Sequence, residues 1–211
     1  LHCHTRYSTQ DAIPNHKAYV DAIYEQNQIS SKYNCIGFAA TDHGNIYGLV
    51  KHYNACNNPD HKERKTKALY GCEVYHCVDV DNNPNGDRFH LVLIAVTQEG
   101  LTNLYEIVSH AGTHIVHGRQ KDFPVTDLNF MSQHGKGIVA LTACVAGIVP
   151  QCIINGQDQD ALMYIDKLAD IFDEVYLEVQ PHDFPEQLLV NSKMVSIAAQ
   201  TGYELVMTPD S

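Results

Sequence analysis

Two histidines separated by a single residue, His2 and His4, stand at the start of the sequence. If this segment is a strand, residues i and i+2 face the same side, so the two imidazoles converge while Cys3 points away. Neutral imidazole is the commonest side-chain ligand of zinc-like cations. The pair therefore predicts part of a metal site, although two histidines on a solvated strand face would have the same spacing.

The motif Thr41-Asp42-His43 follows the apolar run 36–40 directly, and Gly44 allows the chain to turn towards the next helix. Sites in parallel α/β folds gather at the carboxyl ends of the strands, where the side chains of Asp42 and His43 would lie. The alternative is that Asp42 caps the following helix and His43 is a bystander.

Glu73 interrupts an apolar strand-like run. A buried carboxylate without a partner is costly, so it needs a cation or an arginine. The chain has only four arginines, which favours a metal. Asp210 and Cys144 also come after strand-like runs and repeat the pattern of a ligating side chain at a strand end.

His90 and Asp11 are weaker candidates. His90 begins an apolar run rather than following one, so the pattern places it at the opposite end of its strand. Asp11 lies before the first predicted helix and could equally be a turn residue. Several strand and loop ends that each offer a ligand nevertheless favour one multinuclear site of mixed nitrogen and oxygen ligands, which suits Zn, Mn or Fe.

Short apolar runs alternate with amphipathic stretches along the whole chain. The runs are rich in Val, Ile, Leu and Ala, which is typical of parallel strands covered on both faces, and predicts a barrel or an open doubly wound sheet. The predicted strands are 1–5, 35–40, 69–75, 90–96, 137–141, 175–179 and 204–207. The predicted helices are 15–32, 45–55, 98–111, 127–134, 157–172 and 185–200.

Composition limits the function. The formal net charge is −11, from 14 basic and 25 acidic residues, so a generally basic face for nucleic acid is not expected. Seven scattered cysteines without a CxxC pair indicate reduced thiols in a cytoplasmic protein. No apolar run approaches the ~20 residues of a membrane span, so no membrane association is expected. We expect a single domain over residues 1–211 that is a piece of a longer chain.

Seven further histidines are interpreted as parts of solvated surfaces. His110, His114 and His117 surround the end of a predicted helix, where a cation is favourable. The others in this group are His52, His61, His76 and His134. The basic run 62–67 could contact a DNA backbone, but a solvated loop is the expectation.

Taken together, the motifs resemble the polymerase and histidinol phosphatase (PHP) domain family, most closely the PHP domain at the amino terminus of bacterial DNA polymerase III alpha subunits. The segments that carry the resemblance are LHCHTRYS (1–8) with Asp11, ATDHGN (40–45), GCEVY (71–75), HLVLIA (90–95), ALTAC (140–144) and YLEVQ (176–180). They follow one another in the family's order over the whole chain.

The resemblance implies an α/β fold, a distorted seven-stranded (β/α) barrel, with two or three divalent metal ions. The ligands that it implies by position are His2, His4, Asp11, His43, Glu73, His90, Cys144 and Asp210. Glu73 would bridge two ions, and Asp42 would orient a ligand without binding metal itself. The family's last ligand would be residue 212, beyond the last residue of the sequence.

The function implied by the resemblance is metal-dependent hydrolysis of phosphodiesters, of the 3′–5′ proofreading exonuclease type, within a DNA polymerase. The implied partners are a single-stranded DNA 3′ end and other subunits of the polymerase holoenzyme. Two alternatives remain open. One is a free-standing PHP phosphatase on a small phosphomonoester such as histidinol phosphate, and the other is a non-catalytic scaffold in which metal stabilises the domain and which docks a partner.

Overall fold

The computed structural model describes residues 1–9, 11–29, 34–58, 66–80, 87–118 and 122–210. Helices and strands alternate along this part of the chain. The strands are β1 Gly37–Ala40, β2 Lys67–Cys77, β3 Phe89–Ala95, β4 Ile115–His117, β5 Asp122–Asp127, β6 Ile138–Leu141, β7 Glu174–Val179 and β8 Glu204–Met207. The helices are α1 His16–Ile29, α2 Leu49–Cys56, α3 Gln98–Thr113, α4 Leu128–His134, α5 Ile148–Ile154, α6 Asp158–Ile171 and α7 Pro185–Thr201.

The eight strands form one mixed sheet in the order β4-β5-β2-β3-β6-β7-β8, with β1 paired to β2. The ladders β1/β2, β2/β5, β6/β7 and β7/β8 are parallel. The expected all-parallel arrangement is wrong for β3, which runs antiparallel to both β2 and β6, and for the β4/β5 hairpin. The continuous apolar runs therefore predicted correctly that the strands are buried on both faces, but they did not predict the direction of each strand.

The described strands do not close into the expected seven-stranded barrel. There are eight of them, and no ladder joins β8 to β1 within the described residues. The predicted strand 1–5 is not a strand: Thr41 N–H donates to the Cys3 carbonyl at 2.9 Å, while Cys3 N–H donates to the Thr41 hydroxyl at 2.9 Å. Because a side-chain oxygen accepts where a ladder needs a backbone carbonyl, regular pairing does not extend along this segment.

The two faces of the sheet have different roles. Helices cover one face, where Leu91 and Leu93 of β3 pack in the main core with side chains of α3, α6 and α7. Val92 and Ile94, which alternate with them, belong to a smaller cluster on the opposite face. Glu73 is paired with Val92 in the ladder and so shares that second face, since side chains alternate along a strand.

Several predicted boundaries shift for local reasons. The helix predicted from residue 45 begins at Leu49, because the Asn45 side chain accepts a bond from Tyr47 N–H and holds the preceding residues in a turn. Helix α5 was not predicted, and Pro150 lies in its first turn, where a missing N–H is tolerated. Strands β4 and β5 were also missed. Most of the basic run 62–67 and His61 lie outside the described residues, as does the end of the predicted helix 15–32.

The seven cysteines, all of which lie in the described residues, are thiols that form no disulfide bond with one another. Within the described residues, every helix is too short or too polar to span a lipid bilayer.

Candidate metal centre

Glu73 lies at the middle of a cluster of imidazoles. Its side chain is 1% exposed, and Oε1 is 2.8 Å from Nδ1 of His90 and 3.4 Å from Nε2 of His2. Oε2 contacts Nδ1 of His43 and is 3.6 Å from Nε2 of His4. Four histidines from separate parts of the chain thus surround one buried carboxylate.

The backbone explains how His43 and His90 reach Glu73. Gly44 N–H donates to the Glu73 carbonyl at 2.8 Å, which holds the loop after β1 beside β2. His90 is the second residue of β3. Because β3 is antiparallel to β2, the amino end of β3 lies beside the carboxyl half of β2, where His90 pairs with Tyr75. The expectation that His90 lies at the wrong end of its strand is therefore incorrect.

His2, His4 and Asp210 form one side of the centre. Oδ1 of Asp210 lies 3.3 Å from Nε2 of His2 and 3.2 Å from Nε2 of His4. Both Nε2 atoms are buried, and within the described residues neither makes a hydrogen bond. Buried nitrogens that face carboxylates at 3.2–3.6 Å without hydrogen-bond geometry fit ligands of a divalent cation.

The other candidates extend the cluster at its open side. Nε2 of His43 is 3.1 Å from Oδ2 of Asp11, and the His4 and His43 rings stack with centroids 4.1 Å apart. The sulfur of Cys144 is 3.6 Å from Nδ1 of His90, and His90 N–H donates to the Ala146 carbonyl at 3.0 Å, which holds the loop after β6 in place.

The eight predicted site residues are therefore brought together into one contiguous cluster. Three overlapping groups of potential ligands have donor atoms within 4.8 Å of one another: His2–His4–Glu73, His4–Asp11–His43 and His43–Glu73–His90. Overlapping groups that share Glu73, His4 and His43 have the arrangement that several neighbouring cations require.

Protonation in the cluster follows from the mutual pairing of its groups. Burial alone would lower the pKa of His2, but the carboxylates of Glu178 and Glu73 offset it and raise the pKa well above its ordinary value. Burial would raise the pKa of Glu73, but the neighbouring imidazoles of His2, His43 and His90 hold it well below the usual range. Burial is the main cause of the raised pKa of the Cys144 thiol.

Asp42 does not face the cluster but supports it from behind. Its Oδ1 accepts from Thr5 N–H at 2.7 Å and from the Ser8 hydroxyl at 2.8 Å. Ser8 Oγ lies 3.1 Å from Nδ1 of His4. Because the Ser8 hydroxyl is directed at Asp42, its lone pairs are left to accept from Nδ1 of His4, and Nε2 is the ring nitrogen that faces the cluster.

Glu178 is a functional candidate that the sequence analysis missed. It is buried, its Oε1 is 2.7 Å from Nδ1 of His2, and it accepts from Nε2 of Gln180 at 3.0 Å and from the Thr208 hydroxyl. The available signal was the one used for Glu73, namely a carboxylate inside an apolar strand, here β7.

Two histidines expected on solvated surfaces are buried instead. His52 and His76 are each fully buried, and burial lowers the pKa of both to about 4. His110 and His114 are half-buried, and His110 stacks on Phe130 with centroids 3.8 Å apart. Helix and strand periodicity placed these imidazoles towards packed neighbours, which their polar flanking residues did not indicate.

Comparison with known proteins gives one family and a consistent set of relatives. A family model described as the PHP domain matches residues 1–182. DNA polymerase III subunit alpha of Chlamydia trachomatis is 29% identical over 236 residues, with all of this chain and 18% of that protein covered. The corresponding subunits of Aquifex aeolicus and Deinococcus radiodurans are each 29% identical over the whole chain, covering 18% and 16% of those proteins. The chain thus spans less than a fifth of the length of these relatives.

Proposed function

The chain belongs to the PHP domain family, and from that premise we propose that its metal centre hydrolyses DNA phosphodiesters from a 3′ end. PHP domains are generally metal-dependent. The observation that carries the proposal is the convergence of four imidazoles on the buried carboxylate of Glu73. Hydrophobic packing does not explain why so many titratable side chains are buried together, because burial of such groups is costly unless they have charged partners.

Each candidate ligand has a role that follows from its neighbours. Glu73 would bridge two cations, since each of its oxygens faces a different pair of imidazoles. The three proposed sets are His2, His4 and Asp210 for one ion, His90 and Cys144 for a second, and Asp11 and His43 for a third. This mixture of nitrogen, oxygen and sulfur donors suits Zn, Mn or Fe.

Two or three divalent cations bound here would act as Lewis acids on a phosphoryl oxygen and offset its negative charge. The chain's own contribution is orientation. Glu178 and Ser8 hold the Nδ1 sides of His2 and His4, so the opposite nitrogens point into the centre. The exposed side of the cluster, at Asp11 and His43, is where a phosphodiester would enter.

We further propose that residues 1–211 are one PHP domain of a replicative polymerase alpha subunit, with single-stranded DNA and other holoenzyme subunits as partners. The supporting observation is that the relatives named above are all alpha subunits. A free-standing phosphatase on a small phosphomonoester and a non-catalytic, metal-stabilised scaffold are the alternatives that the experiment separates.

The test uses the Glu73→Gln variant. The unaltered chain is expected to retain two or three metal ions and to release nucleotides from a 3′-labelled single-stranded DNA. Glu73→Gln removes the central charge and should lower both metal content and turnover, the latter by at least ~100-fold. Glu99→Gln, which changes an exposed carboxylate paired with Lys136, should behave like the unaltered chain.

Three results distinguish the hypotheses. Metal-dependent release of nucleotides that Glu73→Gln abolishes supports the exonuclease. Turnover of a small phosphomonoester without turnover of DNA supports the phosphatase. Bound metal without turnover of either substrate supports the scaffold, and equal turnover in Glu73→Gln excludes the proposed centre altogether.

A further inference from the structure

Arg6, Tyr7 and Lys51 form a cationic corner next to the metal centre. The Lys51 ammonium lies 5.6 Å from the centroid of the Tyr7 ring, and the Arg6 guanidinium lies 6.0 Å from it. Both cations are exposed, and Tyr7 is half-buried between them. Cations at this distance from a ring are attracted by its negative face, so Tyr7 holds two positive charges together that would otherwise separate.

In the described part of the chain, the two charges lack acidic partners. Within the described residues, neither Arg6 nor Lys51 makes an ion pair with a carboxylate. Three other lysines do, in the pairs Lys17–Asp21, Lys136–Glu99 and Lys193–Asp158. In a chain with a net charge of −11, two adjacent cations without carboxylate partners mark a local site for an anion.

The backbone ties the cationic corner to two candidate ligands. Tyr7 follows His4 by three residues, so their Cα atoms are at most roughly 11 Å apart. The Asn45 amide donates to the Tyr7 carbonyl at 3.1 Å and to the His43 carbonyl at 2.9 Å. The corner and the candidate ligands His4 and His43 are thus carried by neighbouring backbone, so we expect an anion at the corner to lie near the metal centre.

We infer that the cationic corner binds a backbone phosphate of single-stranded DNA that neighbours the phosphate held at the metal centre. The inference rests on the proposed function and deepens it, because it names the substrate feature that the chain recognises. Guanidinium and ammonium groups form strong charge-assisted hydrogen bonds with phosphate oxygens, and the Tyr7 hydroxyl adds a further donor. A small ester with one phosphate cannot occupy both places, so the corner selects polynucleotides over small esters.

The test compares two double variants that lose the same charge. Arg6→Gln/Lys51→Gln removes the corner, and Lys136→Gln/Lys193→Gln removes two lysines elsewhere. Turnover of a short single-stranded DNA is compared with that of bis(4-nitrophenyl) phosphate, a diester with one phosphate. The corner variant should lower the ratio of kcat/KM for DNA to kcat/KM for the small diester by about tenfold, and the control should leave it unchanged.

Binding of a fluorescein-labelled single-stranded DNA, followed by anisotropy at several salt concentrations, gives a second readout. The logarithm of the association constant decreases with log[salt], and this negative slope should become shallower by about 0.7 to 1.4 in the corner variant. The change corresponds to one or two phosphates that are no longer neutralised. Arg6→Lys, which keeps the charge, should retain most of the binding. This variant separates loss of charge from damage to the loop.

The outcomes separate the inference from the proposed function. An unchanged ratio and salt slope in the corner variant, or equal losses in the control, overturns the inference and leaves diester hydrolysis standing. If the unaltered chain hydrolyses neither substrate, the proposed function fails. The anisotropy measurement then still tests the inference. Loss of DNA binding in the corner variant but not in the control supports the inference, and equal binding by the corner variant and the unaltered chain overturns it.

Discussion

The two ring nitrogens of His2 face different carboxylates. Nδ1 lies 2.7 Å from Glu178, whereas Nε2 faces Glu73 and Asp210 at 3.4 and 3.3 Å. An imidazole that donates through Nδ1 presents the lone pair of Nε2, so Glu178 determines which atom is offered to a cation. At the scale of single residues, the groups behind the candidate ligands therefore determine which ring atoms face the centre.

We predict that Glu178→Gln weakens metal binding while the chain stays folded. The amide keeps the size of the side chain but loses the negative charge that holds Nδ1–H of His2, and affinity should fall by ~10–100-fold. Titration calorimetry with Mn²⁺ or Zn²⁺ measures it. Glu174→Gln, an exposed carboxylate on the same strand, is the matched control. Equal affinities for the two variants would show that Glu178 does not act on the centre.

At the scale of elements, helix α3 is positioned by a close backbone contact with the turn before β6. A Cβ atom added at Gly100 would lie 1.8 Å from the Gly137 carbonyl oxygen. The Asn103 amide donates to the Lys136 carbonyl at 2.8 Å, and Gly137 has a positive φ of 74°. Glycine at position 100 therefore allows α3 to pack against β3, the strand that carries His90.

We predict that Gly100→Ala destabilises the chain by about 1–3 kcal/mol, because the added methyl overpacks a backbone contact that cannot yield. The same substitution at Gly112 in the same helix meets no atom within 4 Å. There, the higher helix propensity of alanine should stabilise by about 0.5–1 kcal/mol. Urea unfolding of both variants measures the change in the free energy of unfolding, which should be negative for Gly100→Ala and positive for Gly112→Ala. A Gly100→Ala variant as stable as Gly112→Ala would contradict the packing argument.

On the scale of the whole molecule, the candidate centre links β8, at one end of the sheet, to the part of the sheet formed by β1 and β2. His2 and His4 precede β1, Glu73 lies on β2, and Asp210 follows β8 at the far end of the strand order. No ladder joins β8 to β1 within the described strands. Cations held by these residues would cross-link the sheet where hydrogen bonds do not, and would stabilise the folded chain by mass action.

We predict that a chelator lowers the Tm, and that the decrease is larger near pH 8 than near pH 6. The pKa of His2 is raised in the metal-free fold, so its protonated form contributes stability that is present below its ordinary pKa of about 6.5 and is lost as the pH rises through the folded value. A cation must displace that proton, so metal binding strengthens as the pH rises. Both effects increase the difference in Tm between the metal-bound and the chelated chain at higher pH.

The comparison of Tm with and without chelator isolates the metal contribution. His52 and His76 have pKa values lowered to about 4, so each contributes stability above an ordinary pKa of about 6.5 that is lost as the pH falls towards 4. This loss of stability occurs with or without metal, so it cancels in the difference between the two Tm values. Differential scanning calorimetry measures both Tm values. A decrease in Tm on chelation that is the same in Glu73→Gln would show that the chelated metal is bound elsewhere.

Local sequence determined most of the elements, with the exceptions of α5, β4, β5 and the segment 1–5, and the types of the candidate ligands. Strand β8 has the predicted bounds, and α3 begins at the predicted residue because the Thr97 side chain accepts from Gly100 N–H as its N-cap. The mixed α/β architecture follows from the alternation of apolar runs and amphipathic stretches. Glu73 stood out because a carboxylate in an apolar strand needs a partner, and that reasoning is independent of the fold.

Only the tertiary structure decided the direction of β3, and with it the place of His90 beside Glu73. It also decided the open sheet, the burial of His52 and His76, and the contacts of Ser8, Asp42 and Glu178 behind the candidate ligands. The physical reason is the separation along the chain of the residues that interact. Helix caps and strand periodicity arise from neighbours in the chain, whereas strand pairing and side-chain contacts between residues such as His2 and Glu178 form across 176 positions and carry no local signature.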